Sequence, residues 1–385
     1  MTPTSRDFQV FAKPVGGACN LACRYCYYHE SLSGTPSFRM PGHVLEAYIR
    51  QHISASPEET IRFSWHGGEP TLLGLEGFRK IIAVQKAHCP AGRLIANGLQ
   101  TNGTLINEDW GRFLADEGFS VGLSLDGPRE HHDRMRTGGD GAGSFDAAMR
   151  GYDILRRFGV LTDVLCVVGA WNAGDPAAVY RFFLDIGAPF VSFLPLVERR
   201  PDLPDGPGPD SVPAEAWGDF LCAVFDMWTA GGIGRIKIQI FEEALRTAFG
   251  QDHSLCIFRP ICGDIPIIEK NGDVFSCDHF VDPEHRLGNI METPLADLLD
   301  SPRQKAFGSA KRDDLPRICA TCEVLDMCHG ECPKNRFLKS PDGEDGWNYL
   351  CRGYKRFFNH CGPFVAQVAE VWRRRTGKVL SEREV

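Results

Sequence analysis

Apolar and polar positions alternate in two different periods along the first half of the chain. The runs "FQVFAKP", "TIRFSWHGGEP", "RLIANGLQTNG", "SVGLSLDGP", "LTDVLCVVGA" and "FVSFLPLVE", between residue 8 and about residue 198, are short, β-rich and end in turn residues, as strands do. Between them, "GHVLEAYIRQHI", "GLEGFRKIIAVQKAH", "INEDWGRFLADEG", "SFDAAMRGYDILRRFG" and "DPAAVYRFFLDIG" are amphipathic and predict helices. Strands alternating with crossing helices predict a parallel α/β unit. Six repeats are too few for a closed eight-stranded barrel, so the expected form is a partial (β/α)6 TIM-like barrel with functional loops at the strands' C-terminal ends.

The pattern breaks at "RRPDLPDGPGPDSVP", residues 199 to 213, whose Pro, Gly and Asp content predicts a loop or linker. A helix at "AEAWGDFLCAVFDMW" follows, then a strand at "RIKIQI" and a tight hairpin in "IPIIEKNGDVFSCDHF", where Asn271-Gly272 separates two apolar runs. The remainder shows little periodicity apart from helices at "LADLLDSPRQKAF" and near the C-terminus. A stretch that builds so little apolar core is expected to fold around metal. The expected division is a barrel domain over 1–235 and a cysteine-rich domain over 236–385.

A chain of 385 residues that is 43% apolar buries a sizeable core. Its net charge of −8 provides no basic footprint for nucleic acid or an anionic membrane, so neither is an expected partner. The start, "MTPTSRDFQVFAKPVGG", lacks the apolar core of a signal peptide, and no run is apolar enough to span a bilayer. These features place the protein in the cytoplasm. A reducing compartment turns fifteen cysteines toward metal rather than disulfides.

The cysteines are grouped. Cys19, Cys23 and Cys26 stand in "CNLACRYCYYHE" with spacing C-x3-C-x2-C, and Cys256, Cys262, Cys277, Cys319, Cys322, Cys328, Cys332 and Cys351 fill the last third. Cys89, Cys166, Cys222 and Cys361 stand apart and read as small core residues. Three thiolates can hold three irons of a four-iron cluster and leave one iron open, the arrangement of a reactive metal site. Two alternatives are a structural zinc site completed by His29 and a two-cysteine redox pair. The eight later cysteines are enough for two fully ligated sites, either zinc or iron-sulfur.

Cysteines directly after strand one, a tyrosine before the third of them, and "GGEP" after strand two resemble the radical S-adenosylmethionine superfamily. That resemblance implies a [4Fe-4S] cluster on Cys19, Cys23 and Cys26 whose fourth iron is chelated by S-adenosylmethionine. It also implies cofactor contacts from Tyr25, Gly68, Ser124, Arg136 and Val197. The distal cysteines and "RLGNI" resemble the SPASM extension, which implies one auxiliary cluster on Cys256, Cys262, Cys277 and Cys332. A second is implied on Cys319, Cys322, Cys328 and Cys351, for three [4Fe-4S] clusters in all.

Within that superfamily "KPVGGACNLACRYCYYHE", "HGGEPTLLGLEGF", "LQTNGTL", "FSCDHFVDPEHRLGNI" and "YLCRGYKRFFNH" resemble the anaerobic sulfatase-maturating enzymes. The implied activity oxidises a cysteine or serine in a C/S-x-P-x-R sulfatase peptide to Cα-formylglycine through a 5′-deoxyadenosyl radical. Asp278, directly after Cys277, is then the implied catalytic base; on residue chemistry alone Asp264, Asp273 and Asp282 are equally eligible. A flavodoxin- or ferredoxin-like electron donor and a monomeric enzyme complete the expectation. His66 departs from the glutamine that some relatives carry before GGEP. Two rival readings share part of the pattern: a SPASM maturase that crosslinks a ribosomal peptide by a thioether or carbon-carbon bond, and a non-catalytic cluster protein that transfers electrons.

Overall fold

The computed structural model describes residues 3–28, 39–200 and 203–376. The six apolar runs form β1 (Phe11–Ala12), β2 (Thr60–Trp65), β3 (Leu94–Thr101), β4 (Ser120–Ser124), β5 (Leu161–Val168) and β6 (Phe190–Pro195). The amphipathic stretches form α1 (Gly42–Ala55), α2 (Leu75–His88), α3 (Glu108–Asp116), α5 (Phe145–Arg157) and α6 (Pro176–Asp185), joined by a short unexpected α4 (Arg129–Met135). Helix starts follow from local chemistry: Asn107 accepts the Trp110 N–H at α3, and Asp175 accepts the Ala178 N–H ahead of Pro176 at α6.

The chain packs as two compact units, each drawn from separate stretches of sequence. The first comprises Met1–Leu125, His132–Val164 and Gly263–Gly308; the second comprises Asp126–His131, Leu165–Cys262 and Ser309–Val385. The parallel strands make an open sheet rather than a closed barrel.

In the first unit, β1, β2, β3 and β4 pair in parallel. Along β2, Ile61, Phe63 and Trp65 are buried and Arg62 is exposed, the alternation a strand imposes. Tyr48, Phe78, Trp110 and Phe119 join them in the main core. Trp65 pairs its indole N–H with Asn97 Oδ1 at 2.9 Å, and truncating so large a buried ring costs about 3–5 kcal/mol. A later stretch extends this sheet. Strand β10 (Ile267–Ile268) lies parallel to β1, and β11 (Asp273–Phe275) and β12 (Arg286–Asn289) follow antiparallel. The expected hairpin is present: Asn271-Gly272 joins β10 to β11, and the Gly272 N–H reaches Glu269 O. This addition brings the loop after β11 to Lys13, the residue directly after β1.

In the second unit, the segment expected to be a linker includes a small antiparallel ribbon, β7 (Arg199–Arg200) with β8 (Leu203–Pro207). The expected strand at 235–240 shrinks to β9 (Lys237–Ile238), paired with β6, and α8 (Gln239–Ala248) begins at once. Ile240, Phe241, Ala244 and Ala248 are buried at helical spacing, so the period favours a helix. Back in the first unit, the stretch read as one helix at 295–307 is two, α9 (Leu295–Leu299) and α10 (Pro302–Asp313, which runs on into the second unit), because Pro302 disfavours helical backbone at Ser301. Short helices α11 (Arg317–Ala320) and α12 (Leu325–Cys328) precede the long α13 (Cys351–Thr376). Helix α7 (Ala214–Gly231) crosses α13 closely at Gly218 and Gly353, where a Cβ on Gly353 would stand 2.2 Å from Ala214 O. Among the described residues no helix is long and apolar enough to cross a membrane.

Candidate active site

The loop after β1 holds the first three thiols, with Cys19 exposed, Cys23 buried and Cys26 between. Backbone ties fix it: the Ala22 N–H donates to Thr137 O at 2.7 Å and the Arg24 N–H to Met135 O at 2.9 Å. On its other side, the Gly68 and Glu69 N–H groups donate to Gly16 O and Ala18 O. A Cβ on Gly68 would stand 2.2 Å from Ala18 O, so the loop's own backbone requires the glycine there. Next to it, Glu69 is fully buried and accepts from the Thr71 N–H, the Thr71 and Thr101 hydroxyls and the Asn102 N–H. Although Cys19 as a residue is exposed, the protein packed around its sulfur pushes the thiol up to about 11, against the N–H groups of Leu21 and Asn102 that face that sulfur. His29, the alternative zinc ligand, lies outside the described residues.

Several implied cofactor residues fall in the same unit. The Arg136 guanidinium, nearly buried, lies 5.3 Å from the centre of the Tyr25 ring, and Ser124 Oγ accepts from Gln100 Nε2 at 3.0 Å. Val197 is buried in the second unit just past β6. His66 stacks on Phe11 at 4.6 Å, and its Nδ1 has no hydrogen-bond partner among the described residues. Burial lowers its pKa.

Asp278 is 8% exposed and its two oxygens are claimed by different partners. Oδ1 faces Lys13 Nζ at 2.8 Å; Oδ2 accepts from the Tyr27 hydroxyl at 2.7 Å and the Tyr28 hydroxyl at 2.6 Å. Lys13 is itself 1% exposed, pairs with Glu269 at 2.9 Å and sits 4.4 Å over the Tyr28 ring. Burial works to raise the Asp278 pKa, but the Lys13 ammonium, His66 and the Tyr28 phenol outweigh it and hold the carboxylate well below its usual range. A carboxylate in this setting is held ionised, the form a base requires, with a proton affinity below that of a free aspartate.

Seven of the eight later thiols lie in the second unit. Cys319, Cys322, Cys328 and Cys351 line one cavity with Leu315, Leu325 and Trp347. Burial raises Cys319 to about 11 and Cys328 to about 12, with Cys351 adding to both. Cys256, Cys262 and Cys332 surround the buried Lys311, whose ammonium donates to Cys256 O at 2.6 Å and Ile257 O at 2.7 Å. Cys277 belongs to the first unit. Four thiols around one cavity, and three around one ammonium, are donor sets that suit iron-sulfur clusters.

Lys13, Tyr27, Tyr28, Glu69, Asn102 and Lys311 were not singled out from sequence. Lys13 carried a signal, since a lysine inside an apolar strand is rarely buried without a partner. The bonds of Glu69 to Thr101 and of Asn102 to Asn20 and Cys19 carried none, because those partners come from segments distant in sequence.

The chain matches the Radical SAM superfamily over residues 14–183 and an iron-sulfur cluster-binding SPASM domain over 262–323. It is 40% identical to the serine-type anaerobic sulfatase-maturating enzyme of Bacteroides thetaiotaomicron, over 94% of this chain and 91% of that one. It is 32% identical to the cysteine-type enzyme of Clostridium perfringens, over 93% of this chain and 97% of that one. The solved structure of native anSMEcpe with bound AdoMet and Kp18Cys peptide superposes with a TM-score of 0.86 at 31% identity, over 95% of this chain and 100% of that chain. The chain therefore belongs to the anaerobic sulfatase-maturating enzymes, radical S-adenosylmethionine oxidoreductases that use [4Fe-4S] clusters and form Cα-formylglycine.

Proposed function

We propose that Asp278 is the base that takes the proton from the target thiol or hydroxyl of a C/S-x-P-x-R sulfatase peptide. The observation that carries this reading is the nest of Lys13, Tyr27 and Tyr28 around a single buried carboxylate. When bound, S-adenosylmethionine supplies the radical that takes a hydrogen atom from Cβ of the target, and the clusters carry single electrons. Cys19, Cys23 and Cys26 would hold the first cluster, and Gly68, Tyr25, Ser124, Arg136 and Val197 would hold the cofactor. Cys256, Cys262, Cys277 and Cys332 would hold one auxiliary cluster, and Cys319, Cys322, Cys328 and Cys351 the other.

Lys13 holds Asp278 ionised before the peptide arrives, and the phenols orient the oxygen that receives the proton. Once the target has lost a hydrogen atom, a proton and an electron, serine yields the aldehyde directly, and a cysteine thioaldehyde yields it on hydrolysis. In this reading residues 1–235 carry the radical chemistry and 236–385 the auxiliary clusters, in a cytoplasmic monomer supplied by a flavodoxin- or ferredoxin-like donor.

The test is anaerobic incubation of reconstituted enzyme with reductant, S-adenosylmethionine and matched C-x-P-x-R and S-x-P-x-R peptides. Mass spectrometry should show formylglycine at the target residue of at least one. Cofactor cleavage with both peptides unmodified would remove the substrate assignment, and a crosslinked product would favour a crosslinking maturase.

A further inference from the structure

We propose that Asn102 is a positioning residue that donates a hydrogen bond to Cys19 Sγ and thereby raises the reduction potential of the first cluster. The proposal rests on the reading that Cys19, Cys23 and Cys26 hold that cluster.

Asn102 is 8% exposed at the end of β3, so its amide must find partners inside the protein. Its Oδ1 accepts from the Thr104 N–H at 2.9 Å and the Thr104 hydroxyl at 2.7 Å. A backbone N–H can only donate, so this contact decides which end of the amide is oxygen. Nδ2 is thereby turned the other way, where it donates to Asn20 Oδ1 at 3.0 Å and to Cys19 Sγ at 3.7 Å. The surroundings lock the amide in place. The Asn102 N–H donates to Glu69 Oε2 at 2.7 Å, and Asn20 Nδ2 closes a ring by donating to Thr104 Oγ1 at 2.9 Å.

The turn needs Oδ1 and the link to Asn20 needs one Nδ2 proton. The remaining proton faces the sulfur, a contact that the folding of the loop does not use. The Leu21 N–H also reaches Cys19 Sγ at 3.4 Å, but any non-proline residue at 21 supplies that donor. Asn102 is therefore the donor that the side-chain sequence controls. Hydrogen bonds to cluster sulfurs stabilise the more negative, reduced state and raise the potential. Cys19 is the exposed member of the three, where a fixed donor replaces variable contact with water.

The test is a redox titration of the reconstituted enzyme followed by electron paramagnetic resonance, reading the signal that changes when S-adenosylmethionine is added. Asn102→Ser keeps an oxygen that can accept the Thr104 N–H in the same turn and withdraws the donor to sulfur. At the wild-type midpoint its reduced-to-oxidised ratio should fall about tenfold, a shift of about 59 mV for a one-electron couple. Thr104→Val removes a hydroxyl but keeps the N–H that orients the amide, so its midpoint should stay at the wild-type value. An unchanged midpoint in Asn102→Ser at full iron content overturns the proposal. An equal fall in both variants also overturns it, because the effect would then belong to loop packing. Asn102→Thr replaces the serine variant if the latter does not load iron. A wild-type protein with no cofactor-responsive signal would overturn the reading of the three thiols and the proposal with it; a responsive signal indifferent to Asn102 overturns the proposal alone.

Discussion

The loop over 19–26 and the segment over 319–351 both present clustered thiols, yet they are held by different means. The first is tied by backbone hydrogen bonds to residues 135–137 and to the GGEP turn, beside a sheet with a dense aromatic core. These backbone ties hold the loop through groups other than its thiols. The second runs through two four-residue helices, and His329 and Glu331 adopt positive φ of 46° and 52°, a conformation unfavourable for side chains other than glycine. Here the four thiols line the cavity themselves, beside Leu315, Val324, Leu325 and Trp347. One arrangement suits a cluster with an iron left open to a cofactor, and the other suits a cluster that also serves as the core.

Removing iron should expose this difference most strongly. Metal binding to a site that is not preformed is folding free energy, on the order of 10 kcal/mol for structural sites. Anaerobic chelation followed by hydrogen exchange should strip protection from 314–350 while β2 and β3 keep theirs. Equal loss in both regions would show that the sheet also depends on its cluster. The next effect concerns chemistry rather than folding. Asp278→Asn keeps the size of the side chain but removes the base, and should lower formylglycine formation about 10²–10⁴-fold. Iron content and cofactor cleavage should remain, so a variant with full turnover would end the assignment of Asp278.

The barrel elements were legible because each strand and helix carries its own period. The boundary at Gln239 was misread because "RIKIQI" fits a strand on its hydrophobicity, while the burial of Phe241, Ala244 and Ala248 that decides for a helix depends on tertiary packing. The thiols were legible as groups from their spacing, and Asp278 only by resemblance to a family. Its partners were not legible. Lys13 and Asp278 are 265 residues apart in sequence and meet because β10 pairs with β1, a register that no local pattern encodes. Asn102 was hidden for the same reason, since its sulfur contact crosses 83 positions.

Lys13 allows a sharper test of the first loop, whose Tyr27 and Tyr28 share Asp278 with it. Lys13→Met leaves the buried Asp278 carboxylate without its cation, and breaking a buried pair from one side costs about 3–5 kcal/mol. Denaturant unfolding of the metal-free variant should show that loss. A stability equal to wild type would mean that the two phenols alone satisfy Asp278.

Acid gives the most graded perturbation, with a step per pH unit smaller than the loss expected of Lys13→Met, and it acts on the sheet next to the first loop through His52. This imidazole is fully buried, stacks on Phe63 at 4.2 Å and pairs Nε2 with Arg62 O at 3.1 Å. Burial lowers its pKa from 6.5 to about 3, with the Arg62 carbonyl opposing the shift. The unfolded chain therefore binds a proton below pH 6.5 that the folded chain refuses until about pH 3. Stability from this group is complete above 6.5 and falls by about 1.4 kcal/mol for each pH unit of descent through that window. His52→Phe keeps an aromatic ring against Phe63 and removes the titrating group, so its unfolding free energy between pH 6.5 and 4.5 should fall less steeply than wild type by that amount. Parallel slopes in the two proteins would mean that His52 accepts its proton without leaving the core, and that acid reaches this sheet through other groups.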